Sequence, residues 1–207
     1  MKFRKERKEI VYFCKRLYYK GLTTTLGGNV SCRAGDGRIL ITPSSIDKNN
    51  IKPGQLVILS INGENLTPGI KPSIEKDMLL NIYKCRPEIN AIIHAHPAVS
   101  SAFAVMDRVI NTNLLAESRV FLKDLVKIPY FRQGSGELAK AVSHAFINTR
   151  VALMQNHGVI TAGRNMTEAF ERIEVLESAA KITLITNLLN NWKEIPGEEL
   201  SFLDSIL

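Results

Sequence analysis

His94-Ala95-His96 and Asn156-His157-Gly158 contain three of the four histidines in this 207-residue chain. Glu75 lies nineteen residues before the first of them. Three imidazoles and one carboxylate are a donor set suited to a catalytic divalent metal, zinc first among them. On a β-strand, residues two apart point to the same face. His94 and His96 are therefore expected to aim both rings at one point, with Ala95 turned away. His157 is expected where a short strand ends, with Gly158 letting the chain turn sharply beside it. Three neutral imidazoles leave positions open for water, substrate or a displaceable carboxylate. The competing reading is three separately hydrogen-bonded histidines, and the grouping favours the metal. His144 has no partner motif and reads as structural or solvated.

The elements that must carry these residues follow from periodicity and turn signals. A first amphipathic helix should bury Phe3, Ile10, Val11, Phe13, Cys14, Leu17 and Tyr18 and end near Lys20-Gly21. Thr23 to Asn29 reads as a polar loop. Strands are expected over Val30–Arg33 and Arg38–Thr42, around the turn Gly35-Asp36-Gly37. Another is expected over Leu56–Ser60, before the turn Asn62-Gly63. Ser73–Lys84 has helical spacing with Pro72-Ser73 as its start, and Ile89–His96 is β-like. Pro97–Met106 and Glu137–Phe146 read as helices. Arg150–Gln155 and Val159–Gly163 read as strands. Thr167 is the expected N-cap of a long helix to Leu189, with Ala169, Ile173, Leu176, Ala180 and Leu184 on one side. Neither a dinucleotide-binding nor a Walker glycine motif is present. With no repeats and no linker, residues 1–207 are read as one domain.

Composition bounds the rest. The chain is 45% hydrophobic and 23% charged, ordinary for a soluble globular protein. No apolar run reaches membrane-spanning length, and Met1-Lys2-Phe3-Arg4-Lys5 lacks a secretory signal. Cys14, Cys32 and Cys85 are isolated and odd in number, which suits reduced thiols and a cytoplasmic setting. Nearly all of the net charge of +7 sits in residues 1–20, where eight basic residues face only Glu6 and Glu9. That pattern is expected to be a solvated helix face. No aromatic–basic interleaving appears elsewhere, so neither a nucleic acid nor a membrane partner is expected.

Five motifs occur in order: Gly27-Gly28-Asn29-Val30-Ser31, Ile41-Thr42-Pro43-Ser44-Ser45, Pro72-Ser73-Ile74-Glu75, His94-Ala95-His96-Pro97 and Gln155-Asn156-His157-Gly158. Together they resemble the class II aldolase/adducin head family, from roughly Glu9 to Leu189. The resemblance implies a three-layer α/β/α fold with a central, mainly antiparallel sheet. It also implies a homotetramer with active sites near subunit interfaces. His94, His96, His157 and Glu75 would be ligands of one Zn²⁺ per subunit. Glu75 would leave the metal when substrate arrives and act as the acid/base. Gly28, Asn29, Ser44, Ser45 and Ser73 match the family's phosphate-binding positions, where glycine permits close backbone approach and small polar groups donate hydrogen bonds.

The implied activity is reversible cleavage of a ketose 1-phosphate, a small phosphorylated sugar, to dihydroxyacetone phosphate and an aldehyde. A methylthioribulose-1-phosphate dehydratase shares the expected site and would eliminate water instead. A pentulose-phosphate 4-epimerase would carry Asp at the position of Glu75. A non-catalytic adducin-like head would have lost the ligands that are present here. Two departures stand out. Ile74 replaces a serine, removing a hydroxyl donor. The tyrosines that fuculose-type enzymes use on the aldehyde side are missing: the middle one falls near Leu115, and no tyrosine follows Trp192. Glu117 is a candidate replacement acid/base.

Overall fold

A computed structural model describes residues 1–206. Its centre is a seven-stranded sheet in the order β3-β2-β1-β4-β7-β6-β5. The strands are β1 (Asn29–Ala34), β2 (Arg38–Ile41), β3 (Val57–Ser60), β4 (Ala91–Ala95), β5 (Val126–Ile128), β6 (Val151–Met154) and β7 (Gly158–Gly163). Every neighbouring pair is antiparallel except β5 with β6. The helices are α1 (Arg4–Tyr19), α2 (Lys76–Cys85), α3 (Ala98–Val105), α4 (Ala116–Leu122), α5 (Gly136–Ala145), α6 (Met166–Leu189) and α7 (Gly197–Asp204). None is long and apolar enough to cross a membrane.

The period-2 alternation of the strands separates two apolar layers. Ala91, Ile93, Ala95, Val151, Leu153 and Val159 join the core under α1, α3 and α6. Ile92, Ala152, Met154, Ile160 and Ala162 join the core under α2 and α5. The α/β/α sandwich with a mainly antiparallel sheet is thus the observed architecture. His94 is on the same side of β4 as Ile92, the side covered by α2 and α5, and this parity decides which helices can meet it.

Several boundaries differ from the sequence reading for identifiable reasons. Helix α2 begins at Lys76, not at Ser73, because residues 73–75 are held in a turn: the Glu75 amide donates to Ser73 Oγ at 3.3 Å and the Lys76 amide to Ser73 O at 3.1 Å. The N-cap of α6 is Asn165, not Thr167; its Oδ1 accepts from the Glu168 amide at 2.9 Å. Leu184 is 40% exposed and so leaves the predicted buried stripe. In α1, Ile10, Phe13, Cys14 and Leu17 are buried as expected, but so is Arg7 from the basic set. Its guanidinium donates to Pro53 O at 2.7 Å and Leu56 O at 3.1 Å, exchanging water for carbonyls. Short α4, edge strand β5 and terminal α7 carry too few periodic residues to be read in advance. Helix α7 docks through a two-point ion pair, Arg119 Nη2 to Asp204 Oδ2 at 2.6 Å and Nε to Oδ1 at 2.7 Å.

Candidate metal centre and anion cleft

Antiparallel pairing sets the site at one end of the sheet. The C-terminal end of β4 lies between the N-terminal ends of β1 and β7, with Asn29 opposite His94 and Ala95 opposite Val159. The β6–β7 hairpin closes through Gln155-Asn156-His157, and Asn156 takes the left-handed conformation at φ 54°. The sharp turn therefore sits at Asn156, one of the residue types that tolerates it, and not at Gly158 as the sequence suggested. Gly158 serves a different purpose. A Cβ there would collide with the His96 ring and stand 2.7 Å from Ala95 O. The glycine makes room for the His96 ring rather than for a turn. His96 itself lies just past the end of β4, its amide donating to Leu22 O at 3.2 Å.

The three imidazoles converge. Ring centroids are 4.6 Å apart for His94–His96, 4.8 Å for His94–His157 and 5.9 Å for His96–His157. One nitrogen from each lies within 4.8 Å of the others, a group that can hold a metal ion. Glu75, at the N-cap of α2, reaches the same point: its Oε1 is 3.0 Å from His157 Nε2 and its Oε2 3.4 Å from His94 Nε2. Glu75 is 4% exposed and His94 is fully buried. Asn29 Nδ2 donates to Glu75 Oε2 at 2.8 Å and to Ser73 Oγ at 3.3 Å, fixing the carboxylate.

The unsatisfied atoms test whether a cation fits. His94 Nδ1 lies 2.8 Å from Val159 O, an acceptor, so Nδ1 carries the proton and Nε2 offers a lone pair. That Nε2, both His157 nitrogens and Glu75 Oε1 are buried without a hydrogen-bond partner. The His94 lone pair thus faces a carboxylate at close range, with His157 Nε2 beside the same carboxylate, an arrangement that a divalent cation would satisfy. Protonation agrees with ligand chemistry. Burial pushes the His96 imidazole down, reinforced by His94 and His157, to about 3. Burial also pushes His94 down, against the pull of Glu75. Burial works to raise the Glu75 carboxyl, but His94 first, then His157 and His96, hold it at about 2. His94 and His96 are thus neutral imidazoles beside an ionised carboxylate, the protonation that metal binding requires.

The carboxylate and His96 also line a cleft of about 190 Å³ together with Gly28, Ser44, Ser45 and Ser73. Four of the five phosphate-binding candidates therefore share one cavity wall with the metal centre. Asn29 does not line it; its amide is engaged with Glu75 and Ser73, and its Oδ1 is buried without a partner. Gly28 has φ +67°, and a Cβ there would collide with His94 O, so only glycine fits between the loop and β4. Ser45 holds a left-handed φ of 53°. The bridge Pro43–Pro72 joins the Ser44-Ser45 turn to the segment leading to Glu75. Ile74 lines the cleft and is 61% exposed, a wall without a hydroxyl. Gln133 also lines it, unforeseen from sequence; only the glycine-rich Gly134-Ser135-Gly136 beside it hinted at a loop. Among the described residues that line the cleft there is no tyrosine. Glu117 is exposed in the first turn of α4 and does not line the cleft. His144 is exposed on α5, as expected.

A three-histidine cluster with a buried carboxylate, opening on a small polar cleft at the end of an α/β/α sheet, defines a site that could hold a divalent cation. The chain belongs to the family described as Class II Aldolase and Adducin N-terminal domain, which matches residues 8–184. Its relatives are enzymes of the lyase type. The 5-deoxy-D-ribulose 1-phosphate aldolase of Bacillus thuringiensis serovar kurstaki is 35% identical over 207 residues, 98% of this chain and 95% of that protein. The 3-oxo-tetronate 4-phosphate decarboxylase of Haemophilus influenzae is 30% identical over 86% of each chain. A solved L-fuculose 1-phosphate aldolase superposes with a TM-score of 0.87 at 30% identity, covering 99% of this chain and 96% of that one.

Proposed function

We propose that the protein is a zinc-dependent aldolase that reversibly cleaves a ketose 1-phosphate to dihydroxyacetone phosphate and an aldehyde. The observation that carries this reading is the convergence of His94, His96, His157 and Glu75 on the wall of a cleft shared with Gly28, Ser44, Ser45 and Ser73. Two of the relatives reported above are named for ketose 1-phosphates. The three histidines would hold the ion, with Glu75 as a fourth, displaceable ligand. Zinc bound there supplies a Lewis acid that polarises the ketone of the substrate. A cytoplasmic homotetramer is part of the proposal.

The chain's own residues supply the rest. Backbone at Gly28 and the hydroxyls of Ser44, Ser45 and Ser73 would donate to phosphate oxygens, anchoring one end of the substrate. In the condensation direction, ionised Glu75 accepts a proton from the hydroxymethyl carbon of dihydroxyacetone phosphate. The electron pair released forms the bond to the aldehyde carbon, and the aldehyde oxygen takes up a proton. Cleavage runs in reverse: the hydroxyl loses its proton, the carbon–carbon bond breaks, and Glu75 returns a proton to the carbon left behind. Asn29 donates to the carboxylate and holds it towards the imidazoles.

One observation favours a second reading, decarboxylation of a 3-oxo acid phosphate. Among the described residues that line the cleft there is no tyrosine and no carboxylate other than Glu75. Loss of carbon dioxide needs no base at a hydroxyl, only a proton delivered to the resulting carbanion.

The test uses zinc-loaded protein and dihydroxyacetone phosphate in D₂O, with proton exchange at the hydroxymethyl carbon followed by NMR. Stereoselective exchange, abolished by a chelator, is expected. No exchange with zinc verified in the protein would overturn the aldolase reading. Release of carbon dioxide from 3-oxo-tetronate 4-phosphate would then be the next assay.

A further inference from the structure

Lys48 is 2% exposed, among the most buried side chains in the protein. Its ammonium donates to Leu26 O and Ile46 O, both at 3.2 Å, and its amide donates to Thr25 O at 2.9 Å. Among the described residues, no carboxylate lies within ion-pair distance of it. The adjacent acid, Asp47, is engaged elsewhere: its Oδ1 accepts from the Asn49 amide at 2.8 Å and its Oδ2 from Asn50 Nδ2 at 2.7 Å. Nearby Cys14 is pushed by burial up to about 12 and stays neutral. A buried ammonium with only carbonyl dipoles for company is costly, and proteins rarely keep one without a compensating charge.

The position of the two carbonyls suggests what compensates it. Leu26 belongs to the loop that carries Gly27 and Gly28, and Ile46 follows Ser44-Ser45. Leu26, Gly27, Gly28, Ser44 and Ser45 all line the cleft. The ammonium therefore sits against the backs of both loops whose fronts form the cavity wall. We propose that Lys48 is the charge beneath the anion subsite: placed between the two loops, it favours a phosphate dianion in the cleft, although it does not touch it. The inference rests on the reading of that cleft as a phosphate site. Burial pushes the Lys48 ammonium down, with Cys14 and Asp47 acting in the opposite sense, so an anion in the cleft should restore its preference for the charged form.

The test measures inorganic phosphate binding by isothermal titration on zinc-loaded wild type and Lys48→Met, a neutral side chain of similar length. Hydrogen exchange of the 23–28 amides reports separately whether the loop stays ordered. The expected result is roughly 10- to 100-fold weaker phosphate binding, the scale for a unit charge acting through an effective dielectric of about 20. Zinc content and loop protection should remain near wild type. Unchanged phosphate affinity, or affinity lost only together with loop protection, would reduce Lys48 to a tether and overturn the proposal. If wild type itself binds no phosphate, the anion-site reading fails first and takes this one with it. A second measurement needs no variant. In the wild type, saturating phosphate should raise the titration midpoint of the Lys48 ε-carbon resonance, and an unmoved midpoint overturns the proposal even if Lys48→Met fails to fold.

Discussion

Taking the metal-free protein from pH 7 to pH 5 should cost it stability, because folding shields imidazoles that the unfolded chain would protonate. His96 is held at about 3, against an ordinary value of 6.5, first by burial and then by His94 and His157. A group whose folded value is depressed contributes stability above its unfolded value and loses it as the pH falls towards the folded one. For His96 that window runs from 6.5 down to about 3. Within it, linkage removes ~1.4 kcal/mol per pH unit, or about 2 kcal/mol by pH 5. Burial shifts His94 in the same direction and adds to the loss. Glu75 does not compensate. Its carboxyl is held at about 2, so its contribution is intact above the ordinary 4.5 and is withdrawn only below it. Against the marginal stability of a domain, ~2 kcal/mol is a large share. The assay is guanidinium unfolding of chelator-treated protein at pH 7.5, 6 and 5, for wild type and His96→Gln. Wild type should lose about 2 kcal/mol or more across the series, and the variant should lose less. A wild-type midpoint that stays flat from pH 7 to pH 5 would refute the argument that the cluster is neutral and desolvated.

Three further outcomes follow from single contacts. Glu75→Gln should keep zinc to within roughly tenfold of wild type and lose about 10²- to 10⁴-fold in turnover, whereas His96→Ala should lose the metal; wild-type turnover in Glu75→Gln, by steady-state kinetics, sinks the acid/base assignment. Gly158→Ala should destabilise the fold by about 1–3 kcal/mol and weaken zinc binding more than folding, since the new methyl meets Ala95 O at 2.7 Å and the His96 ring; unaltered zinc affinity by competitive titration contradicts it. Burial raises both the Cys14 and Cys32 thiols to about 12, while Cys85 is exposed. A thiol reagent at pH 8 should therefore modify one equivalent in the folded protein and three after unfolding; a second fast equivalent in the native state argues against the buried placement.

The sequence was most legible where chemistry constrains residue type. The histidine spacing and the order of five motifs pointed to the histidines that converge and to the sheet that carries them, because chemistry and tight loops restrict residue type. It was less legible where a side chain is recruited by something distant in sequence. Nothing local says that Ser73 will hold residues 73–75 out of helix α2, because its partners include Asn29, 44 positions away. Nothing near Gly158 says that its role is to admit the His96 ring. Arg7 reads as one charge in a basic helix face, yet it is buried because carbonyls of the Pro53–Leu56 turn accept its protons. Gln133 enters the cleft from a loop with no periodicity to announce it. Thr167 was a sound N-cap by type, but Asn165 lies two residues earlier and has the geometry.

The register of three strands is what turns scattered residues into one site. Antiparallel order brings the starts of β1 and β7 to the end of β4, so Asn29, His94, His96 and the approach to His157 share one rim. Strand β2 runs antiparallel to β1, so its end delivers Thr42-Pro43-Ser44-Ser45 to that same rim. The Pro43–Pro72 bridge then brings Ser73 and Glu75 to the start of α2. Parity does the remainder. Ile92 belongs to the layer under α2, so His94, two residues on, also points there, where Glu75 caps the helix. A one-residue insertion in β4 before His94 would turn that imidazole towards α3 and α6 while leaving the composition of the strand unchanged. The histidine cluster and the cleft beside it therefore stand or fall with the same β1–β4–β7 pairing, although their residues come from six separate stretches of chain.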